Sequence, residues 1–138
     1  MKKLLSVSAL TLVLLAGCSS SASYAGQSAV SSEENHVGEY ATVTFDKDGD
    51  DISNVQFDVV LPEGEYTSKK ALSDAGEYGM EEKTGKSWTA HVNDLENYIN
   101  ENDKFPALDA EGKDVDGASG ATISIDEFEE AFNAAEKA

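Results

Sequence analysis

The chain has 138 residues, 27 acidic against 10 basic, and a formal net charge of −17; every basic residue is Lys. Nucleic acid is excluded as a partner, because that binding draws mainly on neutralised phosphates, and anionic lipid headgroups are repelled by the same charge. The single Cys excludes an internal disulfide, so the fold must hold by packing.

Lys2 and Lys3 precede an apolar run from Leu4 to Leu15, interrupted only by Ser6, Ser8 and Thr11. The run is shorter than the roughly 20 residues a bilayer span needs. It has the form of a signal peptide. Leu15-Ala16-Gly17-Cys18 resembles the bacterial lipobox, in which the Cys becomes the first mature residue and carries the lipid, palmitate included. Residues 1–17 are therefore expected to be a lipoprotein signal peptide, and Cys18 the anchor on the extracytoplasmic face of the cell membrane. The bland alternative is an ordinary secretory signal with an incidental Cys. Leu10 to Gly17 also resembles the peptide pheromones that some Gram-positive bacteria release from lipoprotein signals.

Ser19 to Asn35 is rich in Ser, Ala and Gly. Such composition predicts a flexible linker, making 18–35 a tether with a reach of about 20–25 Å. Removing residues 1–17 takes away two Lys and no acid, so the mature chain is more negative still. It is expected to hang from its lipid.

Residues 36–138 amount to one small domain. Gly38 to Phe45 suits a strand. Asp46-Lys47-Asp48-Gly49-Asp50 reads as a turn. Ile52, Val55, Phe57, Val59 and Leu61 give a second strand that alternates from Val55 onward, so the two form a hairpin. Pro62-Glu63-Gly64 ends it. Ser68 to Ala75 suits a short helix, and Gly76 and Gly79 mark a break. Trp88, Val92, Leu95 and Ile99 then lie on one face of an amphipathic helix. Asn100 to Gly117 is polar and contains Pro106, which predicts a loop. In the last helix, Ser124 and Glu127 have capping-box spacing, with Ile123 and Phe128 as a hydrophobic staple. Phe128, Ala131, Phe132 and Ala135 form its apolar stripe. The expected fold is α+β: a small antiparallel sheet opened by a β-hairpin, packed on two or three helices.

Between loop and helix stands Asp116-Gly117-Ala118-Ser119-Gly120-Ala121-Thr122-Ile123-Ser124. This stretch resembles the Asp-x-x-Ser-Gly-Ala-Thr acceptor motif of FMN-binding domains. The likeness extends over roughly 36–135. Gly38-Glu39-Tyr40 through Phe57 resembles the family's opening hairpin. Tyr78-Gly79-Met80, Trp88 and Leu95-Glu96-x-Tyr98-Ile99 resemble the compact versions in Gram-positive lipoproteins. One departure is Gly117-Ala118, where Ala-Val is frequent; another is His91-Val92, where Gln-Ile is expected.

The resemblance implies FMN joined to Thr122 by a phosphoester, attached by a secreted FAD-dependent flavin transferase. It implies that Asp116, Ser119 and Gly120 set local geometry and transferase recognition, and that Ala121 belongs to the same FMN-binding stretch. Tyr78, Met80 and Trp88 become candidate contacts of the flavin ring, although aromatic and Met residues at such spacing are more often core. Small residues leave room around Thr122, and a phosphate there would lie near the positive end of the last helix. His36 and His91 receive no role.

Two calcium-loop patterns compete. Asp46, Asp48 and Asp50 fit the first three ligand positions, yet Asp51 and Phe57 stand where Gly and Glu belong. Asp116, Ile123, Glu127 and Phe128 fit a second loop, but Ala118, Gly120 and Ala121 offer no side-chain oxygen.

With no nucleophile–base set of its own, the chain reads as a non-enzymatic electron carrier. It would work between a membrane NADH dehydrogenase or quinone system and extracellular acceptors. The alternatives are a flavin-bearing partner of a secreted reductase and a calcium-binding or structural surface lipoprotein.

Overall fold

The computed structural model describes residues 10–13, 21–118, 120 and 123–137. Four strands, β1 (Leu10–Val13), β2 (Ala22–Gln27), β3 (Tyr40–Asp48) and β4 (Asp51–Val60), form one antiparallel sheet in the order β1-β2-β3-β4. Helices α1 (Lys69–Asp74), α2 (Met80–Thr84), α3 (Trp88–Asn102) and α4 (Asp126–Glu136) follow. The fold is α+β, as expected.

The hairpin of β3 and β4 turns at Gly49-Asp50, with Asp48 paired to Asp51. The strands thus run into the segment read as a longer turn. Inward residues Ala41, Val43 and Phe45 alternate along β3, and Val55, Phe57 and Val59 along β4. Ile52 is also buried, three residues before Val55. An extra residue reconciles this spacing with a pleated strand. The register shifts between Thr44 and Asp46, and Asn54 takes φ 56°, a β-bulge that returns Ile52 to the core side.

Two expectations are corrected here. The hairpin does not open the sheet, because β2 and β1 lie on its far side. Nor is 18–35 wholly a linker: Ala22–Gln27 pairs along β3, with Tyr24 opposite Phe45. The small residues that suggested flexibility serve close packing instead. A Cβ on Gly26 would lie 2.4 Å from the Ala131 carbonyl oxygen and 2.6 Å from the Ala135 nitrogen. Strand β2 therefore runs directly beneath α4, which a bulkier sequence would hold away. Strand β1 falls inside the segment read as a signal peptide, so the sheet of a processed chain would end at β2.

Helices α3 and α4 cover the inner face of the sheet. The predicted face of α3 is buried throughout (Trp88, Val92, Leu95, Ile99), as is the α4 stripe Phe128, Ala131, Phe132, Ala135. Ring contacts run from Tyr24 to Phe45 (5.5 Å between centroids) and from Phe45 to Phe132 (5.0 Å). Phe128 touches Phe57 (4.8 Å) and Trp88 (6.0 Å).

Polar residues of α3 and its C-cap face the outer edge of β4. Asp103 Oδ1 accepts from the Ile52 N–H (2.8 Å), Asn100 Oδ1 from Val55 (3.2 Å) and Glu96 Oε2 from Phe57 (2.8 Å). Glu96 and Asn100, four residues apart, share one helical face, and Asp103 follows as the helix C-cap in the left-handed region at φ 61°. The strand edge is thereby closed to further pairing. Among the described residues no helix is long and apolar enough to cross a membrane.

Candidate functional site

Short elements between β4 and α3 build one wall of a cleft. Ser68 caps α1, its hydroxyl oxygen accepting from the Ala71 N–H at 3.2 Å. Gly79 and Gly85 bracket α2 with φ of 82° and 83°, left-handed turns that an L side chain resists. These turns fold Tyr78 and Met80 back toward Trp88, the first residue of α3. Tyr78 meets Trp88 edge-on at 6.3 Å.

The opposite wall comes from Ile123, Ser124 and α4, and residues 29–39 between β2 and β3 cross the mouth. Together they enclose about 780 Å³. Val59, Tyr78, Met80, Trp88 and Ile123 supply its apolar lining. Trp88 is only 3 % exposed, so it backs the cleft while Tyr78 and Met80 face it more openly. The three candidate ring contacts are thus brought together, next to the residues that directly follow Thr122.

The segment from Val115 to Ile125, which contains the motif, is pinned at both ends to one preceding loop. The Val115 N–H donates to the Ala107 carbonyl at 2.9 Å, and the Ile125 N–H to the Gly112 carbonyl at 2.7 Å. Between these anchors, Val115–Gly117 forms a 3₁₀ turn, and the Gly120 N–H donates to the Gly117 carbonyl at 2.9 Å. Gly120 is exposed with φ 82°, and a Cβ there would sit 3.5 Å from Asp94 of α3. Asp94 is ion-paired with Lys86. Thr122, Ser119 and Ala121 lie outside the described residues, as do the Asp116 side chain and the lipidation candidate Cys18.

The capping box is not formed. Helix α4 begins at Asp126 after Ile125, and the Ser124 hydroxyl donates to the Glu111 carbonyl (3.3 Å) and Asp126 Oδ1 (3.2 Å). Asp126 lies closer to the helix start and accepts from the Glu127 N–H at 3.1 Å. With Asp126, Glu127 and Glu129 in its first turn, α4 meets its positive end with its own carboxylates. That field is weaker for a phosphate than the sequence suggested. The staple residues Ile123 and Phe128 are both buried.

Charge in the cleft is uneven. Glu33, Glu39, Asp126, Glu127 and Glu130 line it, against Lys69 and Lys113. Glu127 is held above the usual carboxylate range, first by desolvation and then by Asp126, with Glu33 and Glu39 adding to this and Lys69 opposing. Sequence reading missed Lys69, Lys113 and the acids of 29–39. No local pattern marks them, since only the tertiary fold gathers them.

His91 is buried and its Nε2 lies 2.9 Å from Thr84 Oγ1, tying α3 to α2. Burial, and after it Lys86, keeps it below the usual histidine range, with Asp94 opposing. The first calcium pattern has a structural use: Asp46 accepts from Ser23 (2.7 Å) and from Asn54 (2.8 Å) beside the bulge.

A sequence profile of the family described as FMN-binding domain matches residues 39–137. The chain belongs to that family. No curated protein and no solved structure matches it. The match begins one residue before β3, leaving β1 and β2 of this FMN-binding domain protein outside it. The cleft suits FMN. Its volume falls within the range of about 300–1,000 Å³ typical of ligand sites, and it offers an apolar aromatic wall for a ring with polar groups at the mouth.

Proposed function

We propose that this FMN-binding domain protein is a lipid-anchored extracytoplasmic electron carrier, with FMN joined to Thr122 through a phosphoester bond. Bound FMN supplies one- and two-electron transfer. Thr122 supplies the attachment oxygen. Tyr78 and Met80 form the wall against which the ring lies, and Trp88 fixes that wall to the core. The acceptor segment, pinned at Val115 and Ile125, holds the attachment point at the cleft. Cys18 holds the domain at the membrane, with Ser19 to Ser21 as the short connection before β2. Neighbours on this reading are an FAD-dependent flavin transferase and a membrane NADH dehydrogenase or quinone system.

The observation that carries the reading is the shared cleft: Tyr78, Met80 and Trp88 line the same space as Ile123 and Ser124, which directly follow Thr122. The test is intact-protein mass after co-expression with a flavin transferase. Wild type is expected to gain the mass of FMN less one water, and Thr122→Ala to gain nothing. An unmodified wild type would defeat the covalent assignment.

A further inference from the structure

The Lys69 ammonium lies 4.8 Å from the centre of the Tyr78 ring and 5.2 Å from that of Trp88. Such distances are those of a cation attracted to aromatic faces. Among the described residues no carboxylate comes within 4.0 Å of it, whereas Lys47, Lys70 and Lys86 all pair with acids. What sets Lys69 apart is its place over two aromatic rings in a cleft lined by five carboxylates. The rings hold its charge at the apolar wall, where it also acts on the Glu127 carboxyl, opposing the rise in its pKa.

That wall is where a flavin ring fits best. A neutral oxidised ring that takes two electrons and one proton, the electrons coming from an external donor, is left with one net negative charge. Glu33, Glu39, Asp126, Glu127 and Glu130 all oppose that charge; Lys69 favours it. The second cation, Lys113, adjoins Gly112, where a Cβ would meet Ser124 Oγ at 2.9 Å. Lys113 therefore stands by the acceptor segment, and Lys69 by the ring wall.

Resting on the flavin assignment above, we infer that Lys69 sets the reduction potential of this protein's flavin, holding it higher than the acid-lined cleft alone would. It is a tuning residue, and attachment does not depend on it.

The test uses the full chain loaded by the transferase, as wild type, Lys69→Met and Lys69→Arg. Mass reports attachment. Dithionite titration against a reference dye reports the midpoint potential. All three proteins are expected to carry one FMN. Lys69→Met should lose at least tenfold in the reduced-to-oxidised ratio at a fixed potential, or about 30 mV for a two-electron couple. Lys69→Arg, which keeps the charge, should stay close to wild type. A loaded Lys69→Met protein with the wild-type midpoint would overturn the inference alone. So would poor loading of Lys69→Met with an unchanged midpoint in the loaded fraction, since the ammonium would then serve attachment. A wild type that takes up no FMN would remove the flavin assignment and this inference together.

Discussion

Phe57 gives its outward backbone N–H to Glu96, at 2.8 Å, and Lys70 Nζ reaches the same Oε2 at 2.6 Å. The Glu96 side chain is 7 % exposed and that of Lys70 17 %, so the pair is largely desolvated. Removing one partner of such a pair strands the other charge. Glu96→Ala is expected to lower the unfolding free energy by about 3–5 kcal/mol. Glu96→Gln should cost less, because an amide oxygen can still accept from Phe57. Urea unfolding measures both. A loss below about 1 kcal/mol for Glu96→Ala would place the contact among ordinary surface ion pairs.

This edge cap was not legible in the sequence, whereas the helix beneath it was. The apolar spacing of Trp88, Val92, Leu95 and Ile99 follows from one helical face and needs no knowledge of the partner. Glu96 and Asn100 lie on the same helix and Asp103 caps it, but their acceptor role depends on a strand some 40–50 residues earlier. The hairpin was legible for the same local reason as the helix, and its bulge at Asn54 explains why alternation began only at Val55. Helix α2 was missed because both its ends are left-handed glycines around five polar-rich residues. At the site, the upstream resemblance named Tyr78, Met80 and Trp88, and these three line one cleft; Thr122 lies outside the described residues. Lys69 and the acids of 29–39 enter only through the fold.

Strand β2 gives the sharpest contrast between composition and structure. Ser, Ala and Gly describe a linker equally well as a strand pressed against a helix, and Gly26 decides between them. Gly26→Ala would thrust a methyl into the backbone of Ala131 and Ala135, and is expected to cost about 1–3 kcal/mol as overpacking. Truncation tests the same relationship more strongly. A chain of residues 18–138 should melt much like the full chain. One of residues 36–138 loses the Tyr24–Phe45 stack and uncovers α4, and should melt far lower or without cooperativity. Equal melting of the two fragments would restore the linker.

Asn54 carries the bulge at φ 56°. A β-branched residue resists the left-handed region, so Asn54→Val should cost about 1–2 kcal/mol from backbone strain. Asn54→Gly removes that strain but also the Nδ2 donor to Asp46. Asp46 is held below the usual carboxylate range first by Asn54 and then by Ser23. The stability this contributes is present above the unfolded-chain pKa and is lost as pH falls through the native one. Asn54→Gly should therefore raise the Asp46 pKa toward its ordinary value, as followed by NMR titration. An unmoved Asp46 would show that the amide does not set its acidity.

Glu127 has the opposite sign. Desolvation in the cleft, followed by Asp126, raises its pKa in the folded protein. The native state therefore favours the protonated carboxyl relative to the unfolded chain. The stability this gives is full below the unfolded-chain pKa of about 4.3. It is lost as pH rises through the higher native value. At neutral pH the ionised carboxylate works against folding, with Asp126, Glu33 and Glu39 as its repelling neighbours. Glu127→Gln should accordingly raise the melting temperature near neutral pH and change it little below the carboxylate range. Melting curves across that interval measure the effect. A constant offset between mutant and wild type at every pH would assign the change to packing and leave no role for the charge.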